Sequence, residues 1–359
     1  MKEEKTVSGN PPKQKSLYYY LSAYRSELMG FAILWVVWFH SSMYVNFFPV
    51  SFLNSGFSFI KKIGYGGVDI FLLISGMGIY NSLEKNDISQ YIKNRVRRIA
   101  PAWWIFLIIS VIIGRFLFEI YYTKLEIIGF ATFTGFWLDM KNQGNWYVYA
   151  IMLFYMISPV FHSLFKTSKN RSKTLLILAF ISLIVSVSFV GNFKLIVFSR
   201  VPIYLMGMYI SASLKNTTLK KSHWAGIITA CVAGFAVLLL FYIFLKDYLW
   251  KYGLWWYPFI VIAPALSLLI AKCLDSLKRI LKPLMSVLTV FGKSSLEILL
   301  VSDFMFENSS KSDLWIFNNH FAPVFVVIIS LILGIAFHYL IDFILRQFGS
   351  KTKRIKSKE

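Results

Sequence analysis

Apolar residues run through this chain in long stretches separated by short polar ones. A helix that crosses a bilayer needs about 20 mostly apolar residues, and about ten stretches qualify. They lie near 28–48, 66–83, 102–120, 146–165, 173–191, 201–214, 224–245, 253–272, 286–306 and 322–345. The sixth is short, and its extent depends on whether Ile196 to Arg200 belongs to it. A further stretch, 125–138, is apolar but too brief to span, and reads as a re-entrant or interfacial segment. The expected fold is an all-α membrane protein with about ten transmembrane helices. No internal repeat is visible, so an inverted-repeat transporter gains no support.

The polar stretches orient these helices. Basic residues crowd the N-terminal segment (Lys2, Lys5, Lys13, Lys15, Arg25) and the second loop (Lys85, Lys93, Arg95, Arg97, Arg98). They recur around Lys166–Lys173, Lys215–Lys221 and Lys272–Lys282, and again in the tail from Lys351 to Lys358. The intervening loops carry fewer, several mixed with Asp and Glu. An excess of Lys and Arg marks cytoplasmic loops, which places both termini in the cytoplasm. Residues 1–27 form a polar cytoplasmic segment without the apolar core of a cleavable signal, so the first helix is expected to act as its own insertion signal. Residues 28–346 form one membrane domain. Residues 347–359 are a basic cytoplasmic tail, expected to be disordered and drawn to anionic lipid.

Composition removes the rival classes. The 359 residues are 57% hydrophobic and 15% charged, which no ordinary soluble domain of this length would be. The net charge of +21 suggests nucleic acid at first sight, but it is parcelled between apolar runs as a topology signal. No nucleic-acid partner is expected; the partner is the bilayer. The two cysteines, Cys231 and Cys273, lack metal-ligand spacing, and no metal site is expected.

Ionisable groups inside apolar runs are the candidates for chemistry, because hydrocarbon makes them expensive to keep. Twelve residues beyond Leu28, His40 lies roughly 18 Å into the core. It reads as a general base or transient acyl acceptor in a polar cavity, or as a packing histidine bonded to a neighbouring helix. Asp69, near the outer end of the second run, is at a similar depth and is the expected orienting partner of His40; capping its helix is the alternative. Ser75 and its glycine neighbours offer close helix packing or backbone approach to a ligand. Arg95 and Arg98 are spaced to share one helical face just before Pro101, which suits a first helical turn; guanidinium and helix N-terminus together favour a phosphate-bearing ligand. Trp146 and Arg200 open spans from the outside, where an aromatic anchor and a snorkelling arginine are the ordinary readings. Glu297, Asp303, His338 and Asp342 complete the set, with His338 and Asp342 able to meet on one face.

In this order, these pieces resemble acyltransferase family 3. Gly30 to His40 is similar to the family's opening glycine-to-histidine block, and Gly67-Val68-Asp69-Ile70-Phe71 through Ser75-Gly76 to its GVD-F-F…SG stretch. Arg95, Arg98 and Pro101 fall where its RxxRxxP loop does. Trp146-Tyr147 with Phe154-Tyr155 and Pro159, Arg200-Val201-Pro202 with Gly207, and Gly292 to Ile298 resemble its later elements. The resemblance implies an O-acyltransferase that moves an acyl group, usually acetyl, from cytoplasmic acyl-CoA to a hydroxyl of an extracytoplasmic glycan or lipid-linked sugar. Acyl-CoA is then a substrate, and no permanently bound cofactor is expected. His40 would take the catalytic position, with Arg25, Arg95 and Arg98 near the donor's phosphates and Ser75, Trp146, Arg200, Ser302 and Asp303 as candidate pocket residues. A multi-pass place in a bacterial cytoplasmic membrane follows. Two positions depart from the pattern: Met29 stands where an arginine or lysine is usual, and Ser302 where many members carry histidine. A glycolipid or anion transporter, and an inactive relative kept for partner binding, are the alternatives.

Overall fold

A computed structural model describes residues 15–41, 51–141, 145–309 and 322–356. Among the described residues the fold is helical throughout, the single β contact being an isolated bridge between Ser16 and Thr218. In chain order the helices are α1 (Leu17–Ala23), α2 (Arg25–His40), α3 (Ser51–Lys62), α4 (Gly67–Lys85), α5 (Ile88–Leu117), α6 (Lys124–Ala131) and α7 (Trp146–Thr167). There follow α8 (Arg171–Val187), α9 (Leu195–Phe198), α10 (Val201–Ser213), α11 (Lys221–Phe244), α12 (Phe259–Ser276), α13 (Lys282–Lys293), α14 (Ser295–Ser309) and α15 (Ala322–Lys356).

Each of the apolar runs read from the sequence carries helix, but not all are long enough to span. Among the described residues, seven helical stretches have the length and hydropathy to cross a membrane, or eight if α13 and α14, bent by 72° at Ser294, count as one broken span. The shortfall from about ten lies in α2 and α8. With 16 and 17 residues they are about 24 and 26 Å long. The first run was expected to reach residue 48, but its part beyond Ser41 lies outside the described residues. The stretch 125–138 holds the eight-residue α6, started by a Thr123–Glu126 capping box, and is no span. At the chain's end, helix continues to Lys356 where a disordered tail was expected.

Two close helix crossings fix the centre. A Cβ on Gly76 of α4 would collide with the Tyr204 carbonyl of α10, and one on Gly207 of α10 with the Leu73 carbonyl of α4. Gly30 of α2 and Gly292 of α13 make the same reciprocal approach, onto the carbonyls of Leu288 and Ser26. Without a hydrophobic force between helices in lipid, such small-residue contacts let backbones pack closely enough for dispersion to hold them. The glycines singled out as motif elements therefore set α4 against α10 and α2 against α13, and Gly67, whose added Cβ would meet the Ala32 carbonyl, brings α4 against α2. On the periphery α11 buries only Cys231, Gly234 and Leu238, as a helix with three lipid-facing sides should. Where the described chain begins, Lys15 grips Asp275 of α12 at 2.6 and 2.8 Å, and that carboxylate holds the ammonium above its ordinary value.

Candidate active site

The site is strung along α2. Arg25 is its first residue and His40 its last, about 22 Å apart along the axis. Each end borders a different cavity.

At the far end His40 faces a cavity of about 620 Å³. Its wall is largely aromatic, with Phe39, Tyr65, Trp146, Phe193, Trp250 and Trp256, and its charged groups are Lys141, Arg200, Asp303 and Glu307. The imidazole is exposed within this concavity, beside the Phe39 ring at 4.8 Å between centroids. A histidine that is both accessible and enclosed by apolar walls can reach a hydroxyl while bulk water is held back. Asp303 also borders a second, smaller cavity of about 40 Å³ shared with Asn145 and Glu307.

At the Arg25 end a cavity of about 40 Å³ is lined by Met29, Ser75, Arg98, Tyr147, Tyr155 and Ser295, among others. The Arg25 guanidinium lies against Gly78 of α4, where an added Cβ would stand 3.3 Å from Nη1. Its charge is within electrostatic reach of both Arg98 and Arg95. Arg95 sits between the rings of Tyr91 and Tyr155, at 5.6 and 5.7 Å, with its Nε buried and without a hydrogen-bond partner. Three guanidiniums from α2 and α5 thus gather at one end of the molecule. Met29 fills the usual cation's position with a thioether, and Arg98 lines the same cavity as Met29.

Several expectations need correction. Asp69 is paired with Arg200, not with His40. The Arg200 Nε stands 3.3 Å from Asp69 Oδ1, and both side chains are 1% exposed. Arg200 is consequently no snorkelling anchor: the short α9 turns the chain so that the residue before α10 points inward. Pro101 does not start a helix, because α5 begins at Ile88 with Asp87 as its N-cap and carries Pro101 inside. No helix N-terminus stands at Pro101 to favour an anion, and Arg95 and Arg98 are mid-helix side chains. Ser302 borders none of these cavities; it is buried, with its hydroxyl donating to the Leu299 carbonyl at 3.2 Å. His338 pairs with Glu297 at 3.2 Å across α14 and α15, leaving Asp342 to Arg346 at 2.6 Å.

The sequence reading missed Tyr65, Lys141, Trp250, Trp256 and Glu307 on the wall of the large cavity. Glu307 was within reach, since it follows Asp303 by one helical turn and shares its face. Trp250 and Trp256 were not, because a tryptophan near a span end looks the same whether it anchors in lipid or lines a cavity.

A family model described as an acyltransferase domain matches residues 28–342, nearly the whole chain, and the chain belongs to that family. No curated protein and no solved structure matches it.

Proposed function

We propose that this multi-pass membrane acyltransferase moves an acyl group, usually acetyl, from cytoplasmic acyl-CoA to a hydroxyl of an extracytoplasmic glycan or lipid-linked sugar. The observation that carries the reading is the division of labour along α2: a guanidinium cluster at one end, an accessible histidine in an aromatic-walled cavity at the other. Arg25, Arg95 and Arg98 hold the donor's phosphates, with Ser75 and Tyr147 along the acyl arm's way toward His40. Guanidinium suits phosphate through paired donors, and it remains charged at every physiological pH.

In the large cavity His40 takes the proton of the acceptor hydroxyl, and the oxygen attacks the thioester carbonyl. The carbon–sulfur bond breaks, and the proton passes from the imidazolium to the departing thiolate. Transient acylation of His40 itself is the same chemistry in two steps. Aromatic faces such as Trp146 and Trp256 suit the apolar face of a sugar ring, while Asp303 and Glu307 suit its hydroxyls. Basic residues at the termini and at the Arg25 end support a cytoplasmic placement of that end.

One observation favours a transporter instead: the 72° break between α13 and α14 is the kind of discontinuous helix that lines transport pathways. The experiment that separates the readings gives detergent-purified protein acetyl-CoA and follows thiol release and acetyl transfer. Mass spectrometry of envelope glycans from cells with and without the protein then identifies the acceptor. Thiol release coupled to an acetylated glycan supports the enzyme. Movement of substrate across proteoliposomes without acyl transfer supports the transporter.

A further inference from the structure

The wall of the large cavity holds a cation to which the proposed reaction has so far given no role. The Arg200 side chain is 1% exposed, and it lines the cavity together with His40. Its Nη1 donates to the Ile196 carbonyl at 2.9 Å. Its guanidinium carbon lies 5.0 Å from the Trp256 ring centroid, 5.3 Å from Trp146 and 5.9 Å from Tyr65, and all three rings also line the cavity. Nε faces Asp69 at 3.3 Å without the direction of a hydrogen bond, and Nη2 has no hydrogen-bond partner among the described residues.

Such an arrangement is costly for a purely structural pair. A buried charge is ordinarily retained only when its hydrogen-bonding capacity is satisfied. Nor is the pair required to join α4 to α10, because Gly76 and Gly207 already bring those backbones into contact. Fixed donors in a dry site are worth most where negative charge develops during reaction, since they need no reorganisation at that moment.

We propose that Arg200 is the oxyanion-binding residue of the large cavity, its Nη2 receiving the carbonyl oxygen of the acyl group. The inference rests on the acyltransferase reading above. As the acceptor oxygen bonds to the acyl carbon, the carbonyl π pair moves onto the carbonyl oxygen, and His40 holds the acceptor's proton. That oxygen carries the negative charge of the tetrahedral adduct and faces the guanidinium. When the adduct collapses, the double bond re-forms, the carbon–sulfur bond breaks, and the thiolate takes the proton from His40. Asp69 is a positioning residue, which fixes the guanidinium without touching substrate, and the three aromatic rings keep water from it.

Methylphosphonate, an anionic tetrahedral mimic of the acetyl adduct, tests the site without turnover. Trp146 and Trp256 are close enough to Arg200 for their fluorescence to report its occupancy. Titration of the full-length protein in detergent should give a saturable change. Asp69→Asn/Arg200→Gln, which neutralises both charges together, should abolish it, and Arg200→Lys should weaken it. In a thiol-release assay with acetyl-CoA and methyl glucoside, Arg200→Lys should lower kcat by roughly 10²–10³-fold and leave KM for acetyl-CoA unchanged. A fluorescence response that is absent from the wild type, or that survives in the double variant, overturns the proposal. So does a kcat for Arg200→Lys within about threefold of wild type. If the wild type releases no thiol and transfers no acetyl, the acyltransferase reading fails, and the methylphosphonate titration still decides the anion site.

Discussion

Asp69 of α4 and Arg200, the residue leading into α10, face each other at 3.3 Å with 1% of either side chain exposed. The pair explains why an aspartate can sit inside an apolar run and why an arginine can sit at the start of another. Each offsets part of the other's cost in a medium that would otherwise expel both. It also leaves Asp69 turned away from His40, whose imidazole lines the large cavity beside aromatic rings and the side chains of Asp303 and Glu307.

Breaking that pair from one side should be far worse than removing it. Asp69→Asn leaves a buried guanidinium unopposed, and a loss of about 3–5 kcal/mol is expected. Asp69→Asn/Arg200→Gln should recover most of it, because two amides can satisfy one another. Thermal denaturation in detergent reads the difference; a double variant no more stable than the single one would contradict the pairing.

His40→Ala should lower acyl transfer by about 10²–10⁴-fold, the usual contribution of a general base, and by more if the imidazole carries the acyl group. Its melting temperature should match the wild type, since the side chain stands in a cavity at the last residue of α2. Full activity in a correctly inserted variant would remove His40 from the mechanism.

The glycine crossings should be intolerant of a single methyl. Gly76→Ala and Gly207→Ala each place a Cβ against a backbone carbonyl of the facing helix, and overpacking of this kind costs about 1–3 kcal/mol. Gly226 of α11, with nothing within 4 Å of an added Cβ, is the control. Gly226→Ala should be neutral or slightly stabilising, by up to about 1 kcal/mol from helix propensity. Equal effects at the three positions, measured by thermal unfolding, would show that the crossings are looser than described.

Removing charge at the other end of α2 should act on the donor. Arg25→Ala and Arg98→Ala should each raise KM for acetyl-CoA by about tenfold, as loss of a charge-assisted hydrogen bond does, and should make it less sensitive to salt. Effects confined to kcat would place these arginines elsewhere in the reaction.

Much of this was legible beforehand because it is local. The runs of apolar residues locate helices wherever a backbone must satisfy itself in lipid, and α4, α7, α10 and α15 lie close to where those runs place them. The spacing of Arg25 and His40 along α2 and the shared helical face of Arg95 and Arg98 follow from the rise and turn of a single helix. His40 and Asp303 stand out in their apolar runs by the cost of an ionisable group there, and both line one cavity; Arg200 lines it too, although its place at the start of a span reads as a snorkelling anchor.

Partner choice was decided by tertiary structure. By helix rise Asp69 is expected near the level of His40, yet it meets Arg200 instead, through the rotation of α4 and the turn that α9 introduces before α10. His338 and Asp342 share a face of α15, yet Glu297 of α14 lies nearer to the histidine. Pro101 reads as a helix start by its own chemistry, yet α5 passes through it because Tyr91 and Ile99 on one side and Ala102 and Trp103 on the other are buried. The aromatic wall is assembled from residues before α4, in α7 and ahead of α12, and no spacing within one helix encodes it. Helix position is set by local hydrophobicity and backbone hydrogen bonding; the site is set by helix rotation and crossing, which only contacts between distant parts of the chain determine.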